Sequence, residues 1–451
     1  MSSYQKTSSN LLYGVEDKPK LSVSIILAIQ NILTAFGGIV AVPLAIGKAA
    51  GVDVADTAFL VSATMIGGGI TTLLQSIGVG PKRFKIGARV PVLMGTDSTF
   101  VSPGIIVVGM GGLPAYFGAT ILGSFIEIIL SRFLKVIMKF FPPLVTGTVV
   151  TLIGMTLIPV AIIWSGGGDP SAADFGSLQN FLISIMVLLI IVFLNRYGKG
   201  ILGSSAVLIG IVIGYIVCIP MGLIDFTSFK EAGFLELPKI LHFGVDFSPK
   251  YVIPFIAAYL VTTIETVGVL KAVGEASEED LSDQRIADGV LCDGIGSLIA
   301  GFIGSGPNTS FSQNVGLIPL TKVASRHVAT VAGVVLIILG IFPKLSTLIA
   351  IMPSPVLGGA GLLMFGVVGA SGIRTLSRVK MDNRNLLIIA TSLGIGIGVS
   401  VFPDYVKSLP GVLNSIFSSG ISAGTVVALI LNIVLKEEET TEEEVSDMNL
   451  M

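Results

Sequence analysis

Charge is scarce in this chain. Asp, Glu, Lys and Arg make up 12% of its 451 residues, against about 25% in a soluble globular domain. Mean hydropathy is +0.90. A charge-covered soluble surface is therefore excluded, and the chain reads as a polytopic membrane protein. Cysteine is equally sparse. Cys218 and Cys292 are the only two, both within apolar segments, so no disulfide framework is implied and both are expected in the core. The two histidines, His242 and His327, lie outside any span centre with no second His or carboxylate at ligand spacing, which argues against a metal site. A net charge of -2 argues against nucleic acid as a partner. The polar stretch Met1 to Lys20 lacks a signal-peptide pattern, so the first apolar segment is expected to be a retained span.

What the chain has in quantity is apolar length. A spanning helix needs about 20 mostly apolar residues. That template predicts spans at 22–46, 57–78, 89–109, 114–134, 143–164, 176–194, 201–220, 252–272, 285–304, 308–321, 327–348, 355–372, 385–402 and 418–435. The third and tenth are interrupted. Fourteen spans put both termini on one side. Lys and Arg alternate loop by loop, and one set of loops holds only Lys48, Lys230, Lys239, Lys250, Lys344 and Lys407. The positive-inside rule then predicts both termini in the cytoplasm. The acidic run after Lys436 is expected to be a disordered, solvated tail.

Two pairs of segments match at nearly one offset. Pro143-Leu144-Val145-Thr146-Gly147 resembles Pro355-Val356-Leu357-Gly358-Gly359, 212 residues on. Gly95-Thr96-Asp97-Ser98-Thr99-Phe100-Val101 resembles Gly306-Pro307-Asn308-Thr309-Ser310-Phe311-Ser312, 211 residues on. A duplicated unit of seven spans would insert its second copy from the opposite side, giving a 7+7 inverted repeat. Interrupted helices at matching places in inverted repeats point to a transporter site near the bilayer midplane. The stretch 306–322 is dense in Gly, Pro and uncharged hydrogen-bonding groups. Such backbone survives at membrane depth only when buried in protein or facing a cavity.

Ionisable groups inside spans are costly, by about 2.5–3.5 kcal/mol on insertion scales, and are functional by default. Glu265, mid-span in Leu260-Val261-Thr262-Thr263-Ile264-Glu265-Thr266, is the strongest candidate. Asp293 in the ninth span reads either as a substrate or proton group or as a helix-to-helix bond. Asp97 reads either as a site or coupling residue or as a cap on a half-helix. Glu127 is read as an inner-end side chain that snorkels, Asp288 as structural, and Gln75 as bonded to a loop. Gly166-Gly167-Gly168-Asp169 fits a protease-like G-x-G-D string, but it lies in a loop with no second Asp in matching context. No enzyme is expected.

The segment Gln313-Asn314-Val315-Gly316-Leu317-Ile318-Pro319-Leu320-Thr321-Lys322 resembles the signature of the nucleobase–ascorbate transporters: Gln, Glu or Pro, then Asn, any residue, Gly, four residues, Thr, and Arg, Lys or Gly. All five specified positions agree. Residues 37–44 and 142–149 also look like the family's first and fifth spans, and the resemblance runs roughly from Ser22 to Leu435. It implies an all-α polytopic protein with short strands in the broken spans 3 and 10. After a cytoplasmic segment 1–21, it implies a core domain from 22–138 and 251–350, a gate domain from 139–220 and 351–436, an outer loop 221–250, and the tail 437–451. It also implies a homodimer, no cofactor, and uptake coupled to protons or, in some members, sodium.

Carried over residue by residue, the resemblance makes Glu265 the carboxylate that binds the base and Gln313 the side chain that reads it. Asn314 supports the site, with Gly316 in the same motif. Asp293 is a carboxylate important for transport. Thr99 and Phe100 become strand positions whose backbone approaches the substrate. The family often has Gln-His where this chain has Gln30-Asn31, so a titratable partner is absent and Asn31 stands at a coupling position. It commonly has Gly-Thr-Ser-Phe-Ala-Phe-Val where this chain carries the extra acid Asp97. A primary amide both donates and accepts, so Gln313 suits the adjacent N–H and C=O of a purine-dione. The resemblance thus implies import of xanthine or uric acid. Uracil or another nucleobase on the same scaffold is the alternative, followed by an anion transporter or a channel.

Overall fold

The structure, a computed structural model, describes residues 11–81, 84–410, 413, 414, 417 and 419–435. The expectations for residues 1–10, for Lys82, Arg83 and Lys436, and for the tail 437–451 lie outside the described residues.

Helix α1 (Leu21–Ala50) ends where Gly51 takes a left-handed φ of 63° and its N–H turns back to the Lys48 carbonyl at 3.1 Å. Helix α2 (Val54–Ile77) opens on Asp53, whose Oδ1 accepts the Asp56 N–H at 2.8 Å, satisfying a donor the helix cannot. The chain then enters β1 (Met94–Thr96), a 3-10 turn (Ser98–Phe100) and α3 (Val101–Leu130). Helix α3 is two stretches joined at Gly111 and Gly112, where Gly112 has a φ of 69°. This break falls between the third and fourth predicted spans.

Next come α4 (Leu134–Phe140), α5 (Pro143–Gly166), α6 (Leu178–Tyr197), α7 (Ile201–Ser204), α8 (Ala206–Cys218) and α9 (Thr227–Glu231). Helices α10 (Pro249–Ala276) and α11 (Asp283–Ile303) lead into β2 (Asn308–Ser310), a second 3-10 turn (Ser312–Gly316) and the stub α12 (Leu317–Thr321). The chain continues through α13 (Arg326–Gly340), α14 (Pro343–Ala350), α15 (Ser354–Leu376), α16 (Asn383–Val401) and α17 (Gly420–Val434). Among the described residues, nine helices are long and apolar enough to cross a membrane, or ten if α13 and α14, bent by 80°, form one span. The protein is a mostly helical, multi-pass membrane protein.

Lipid tails supply no hydrophobic drive between helices, so close backbone approach must hold the bundle. A Cβ at Gly154 of α5 would lie 2.2 Å from the Gly369 nitrogen of α15, so that crossing admits only glycine. Helix α2 packs on α13, α11 and β1, and α3 packs on α10 and α11. Helix α15 packs on α5 and α6, and α16 on α17.

At the centre, β1 and β2 pair antiparallel, with Met94 opposite Ser310, Gly95 opposite Thr309 and Thr96 opposite Asn308. All six residues are buried. Non-helical backbone in an apolar bundle must find its hydrogen bonds within protein, and here each strand supplies the other. The Phe311 N–H extends the ladder to the Leu93 carbonyl at 3.0 Å. Its ring lies over Gly95, where a Cβ would sit 2.6 Å from ring carbon.

Candidate functional site

Helices α10 and α11 pack on β2, α1 and α2 pack on β1, and α10 also packs on the turn Ser312–Gly316. From Val261 to Val267, α10 is buried except at Glu265, which is half-buried. No other described residue gives the Glu265 carboxylate a hydrogen bond. Glu265 is the one partly accessible side chain on this stretch of the helix. One turn on, Gly268 is exposed, with nothing within 4 Å of where a Cβ would stand. In the neighbouring turn Gln313 and Gly316 are exposed, and Gly316 too has open space at its Cβ position. The acid and the amide are thus accessible polar side chains on elements that pack together.

Asn314 faces the other way. It is 2% exposed, and its Nδ2 donates to the Asn31 carbonyl at 2.9 Å and to Asn31 Oδ1 at 3.0 Å. Asn31 in turn donates to the Leu27 carbonyl at 2.9 Å. The pair ties the turn to α1, a structural link that the sequence reading did not anticipate for Asn31.

Asp293 is fully buried behind β2. Its Oδ2 accepts from the Thr266 hydroxyl and from Thr309 Oγ1 at 3.1 Å. The two threonines lie 3.0 Å apart. One carboxylate therefore joins α11, α10 and β2, and Asp293 does not reach the open space beside Glu265. Asp97 caps the first 3-10 turn, its Oδ1 accepting the Thr99 N–H at 2.6 Å.

Two expectations need correction. Thr99 and Phe100 are not strand residues: β1 stops at Thr96 because the Asp97 side chain turns the chain into the 3-10 element. Phe100 is fully buried, edge-on to Phe255 at 5.5 Å and Tyr259 at 4.8 Å. Glu127 does not snorkel. It is fully buried, and its Oε1 accepts from Thr262 Oγ1 at 2.6 Å. Desolvated carboxylates need such donors.

Other readings agree with the geometry. Gln75 accepts the Ala88 N–H of the following loop at 2.9 Å. Asp288 is held by Gln284 at 2.8 Å and Arg132 at 3.7 Å. Sequence reasoning passed over Ser297, whose hydroxyl exchanges hydrogen bonds with the Asn308 backbone at 3.0 and 3.2 Å. It also passed over Thr262 and Thr266. Their spacing of one helical turn, beside Glu265, was the available signal.

Paired strands that interrupt membrane helices at a polar centre, with one acid and one amide left accessible, define a membrane transporter. The chain belongs to the nucleobase–ascorbate transporter family: residues 22–405 match the permease family. It is 56% identical over 439 residues to a protein of Clostridium perfringens named provisionally as a purine permease, covering 97% of this chain and 96% of that one. It is 40% identical over 436 residues to the uric acid transporter UacT of Escherichia coli, covering 94% and 89%. It is 40% identical over 410 residues to the xanthine permease of Bacillus subtilis, covering 90% and 92%. Among solved structures, the transmembrane domain of the cyanobacterial bicarbonate transporter BicA superposes with a TM-score of 0.58 at 14% identity, covering 93% of this chain and 99% of that one. At that identity the likeness concerns the fold alone.

Proposed function

We propose that this protein imports a purine nucleobase, xanthine or uric acid, as a proton-coupled secondary transporter. The observation that carries this reading is the accessible, unpartnered Glu265 on α10, packed against the turn that bears the accessible Gln313. A carboxylate accepts ring N–H groups, while the amide meets an adjacent donor and acceptor. The relatives named for uric acid and xanthine support the substrate class.

On this reading the chain has fourteen spans in a 7+7 inverted repeat. The antiparallel pairing of β1 with β2 supports it, because each strand lies at the matched segment of its half, three residues apart in the matched register. A core domain (22–138 and 251–350) carries the site and moves against a gate domain (139–220 and 351–436). Both termini face the cytoplasm, and two copies form a homodimer in the cell membrane.

The test is uptake of radiolabelled xanthine, uric acid and uracil into proteoliposomes, with pH and sodium gradients imposed separately. Concentration of a purine driven by the pH gradient is expected. Replacing Glu265 with Gln removes a charge-assisted bond worth about 1.5–3 kcal/mol, so substrate affinity should fall about ten- to hundredfold. Preferential uptake of uracil would reassign the substrate, and sodium-driven uptake would reassign the ion. Full purine transport by the Glu265→Gln protein would remove that residue from the site.

A further inference from the structure

Glu127 and Asp293 share an unusual condition. Each is fully buried, and each has one carboxylate oxygen, Glu127 Oε2 and Asp293 Oδ1, with no hydrogen-bond partner among the described residues. Their other oxygens are held from one helix, α10: Thr262 bonds Glu127 and, one turn on, Thr266 bonds Asp293. Helices α3 and α11 meet backbone to backbone at this level. A Cβ on Gly294 would stand 2.8 Å from the Ile128 nitrogen and 3.1 Å from the Ser124 carbonyl oxygen. The two acids immediately precede Ile128 and Gly294, so the crossing sets both at this level, held by threonines one turn apart on α10.

No described residue neutralises them. From α10 the facing groups are Thr262, Tyr259, whose hydroxyl donates to the Thr120 carbonyl at 2.8 Å, and the acid Glu265. From α11 comes Cys292, and from the turn after β1 comes Asp97. Arg132, further along α3, is committed to Asp288 at 3.7 Å and lies over Phe84 at 4.9 Å. Among the described residues no Lys, Arg or His forms a salt bridge with either acid. Two ionised carboxylates buried side by side would bear both desolvation and mutual repulsion, which a positive charge between them removes.

We propose that Glu127 and Asp293 form a buried cation-holding pair behind the strand pair, one layer in from Glu265, and that its occupant is a proton loaded and released during transport. The proposal rests on the transport reading above and adds the place where the coupling charge is stored. Glu265 meets the substrate, while the pair senses it indirectly. Thr266 adjoins Glu265 on α10, and Thr309 of β2 bonds both Thr266 and Asp293.

The first measurement is an infrared difference spectrum of the purified full-length protein with and without xanthine. A protonated carboxyl C=O band is expected that disappears in Glu127→Gln, whose side-chain oxygen can still accept from Thr262. The second is uptake in proteoliposomes. The ratio of pH-driven accumulation to substrate exchange should fall about tenfold or more in that variant, the scale of a typical coupling energy. Thr262→Val, which keeps the acid but removes its donor, should shift the band and leave it present. A band unchanged in Glu127→Gln overturns the proposal, as does an unchanged accumulation ratio. A wild-type protein without the band, whose accumulation follows sodium, assigns the pair a metal cation and overturns the proton. If wild type neither binds nor accumulates a purine, the transport reading fails first, a result distinct from all of these.

Discussion

At the scale of single residues, the side chains that carry chemistry are those whose neighbours leave something unpaired. Asp97 is the opposite case: its geometry is that of a cap, accepting the Thr99 N–H at 2.6 Å. Replacing a capping Asp with Ala costs about 1 kcal/mol, so Asp97→Ala should lower the thermal midpoint of the detergent-solubilised protein. Asp97→Asn, which keeps a carbonyl oxygen, should restore most of it. A variant as stable as wild type but unable to transport would make Asp97 a coupling residue. Glu265 and Gln313 stood out as candidates in the sequence because one is an ionisable group within an apolar run and the other opens a spaced signature, and the structure leaves both accessible. Glu127 was misread because hydropathy reports depth in the membrane but not what lies alongside. Its partner Thr262 is 135 residues away, and no local period announces such a meeting.

At the scale of elements, the segment before α1 forms a strap that sequence composition did not reveal. Tyr13 bridges Val323 in parallel register, and the Ala324 N–H returns to the Tyr13 carbonyl at 2.8 Å. Glu16 joins Arg326 at 2.7 Å and Arg89 at 2.8 Å. The strap therefore fastens the end of the signature segment to the loop after α2. The Arg326 guanidinium bonded to Glu16 holds its carboxyl below the ordinary carboxylate value, with Arg89 adding to the effect and partial burial opposing it. A depressed folded value means that the pairing stabilises the strap above the ordinary carboxylate range and is lost as pH falls through the lowered value. Hydrogen exchange in residues 11–18 should rise on acidification below the usual carboxylate range. Glu16→Gln should produce the same rise at neutral pH, and protection unchanged in both experiments would leave the backbone bonds alone to hold the strap. The pairing went unseen because strand bridges across 310 residues of chain leave no periodic trace. The break in α3 was seen, because Gly111 and Gly112 punctuate an apolar run directly.

At the scale of the molecule, the two ends of the bundle differ. Helix α1 starts at the strap and carries Lys48 in its last turn, so Lys48 marks the opposite face. There its Nζ meets Ser354 Oγ of α15 at 2.6 Å and lies 5.7 Å from the centroid of the Trp164 ring of α5. These contacts join α1 to the α5–α15 pair at that face. Toward the strap, Glu265, Gly268 and Lys271 form an accessible stripe along α10, and Gln313 and Gly316 are exposed beside it. On the proposed orientation, with the Lys- and Arg-rich loops cytoplasmic, this stripe faces the cytoplasm. A cysteine reporter suits this chain, because Cys218 and Cys292 are both fully buried and Gly268 has open space where a side chain would stand. In Gly268→Cys protein, a membrane-impermeant maleimide should label from the cytoplasmic side and xanthine should slow the reaction. Adding Lys48→Met should loosen the far face and raise labelling from outside. Labelling of Gly268→Cys from the outside alone would invert the orientation, and no change on adding Lys48→Met would show that the Ser354 and Trp164 contacts do not hold that face shut. The exposed stripe on α10 could not be read from the sequence, because hydropathy ranks Gly268 with the lipid-facing residues, and its place beside the second broken segment appears only in the packing.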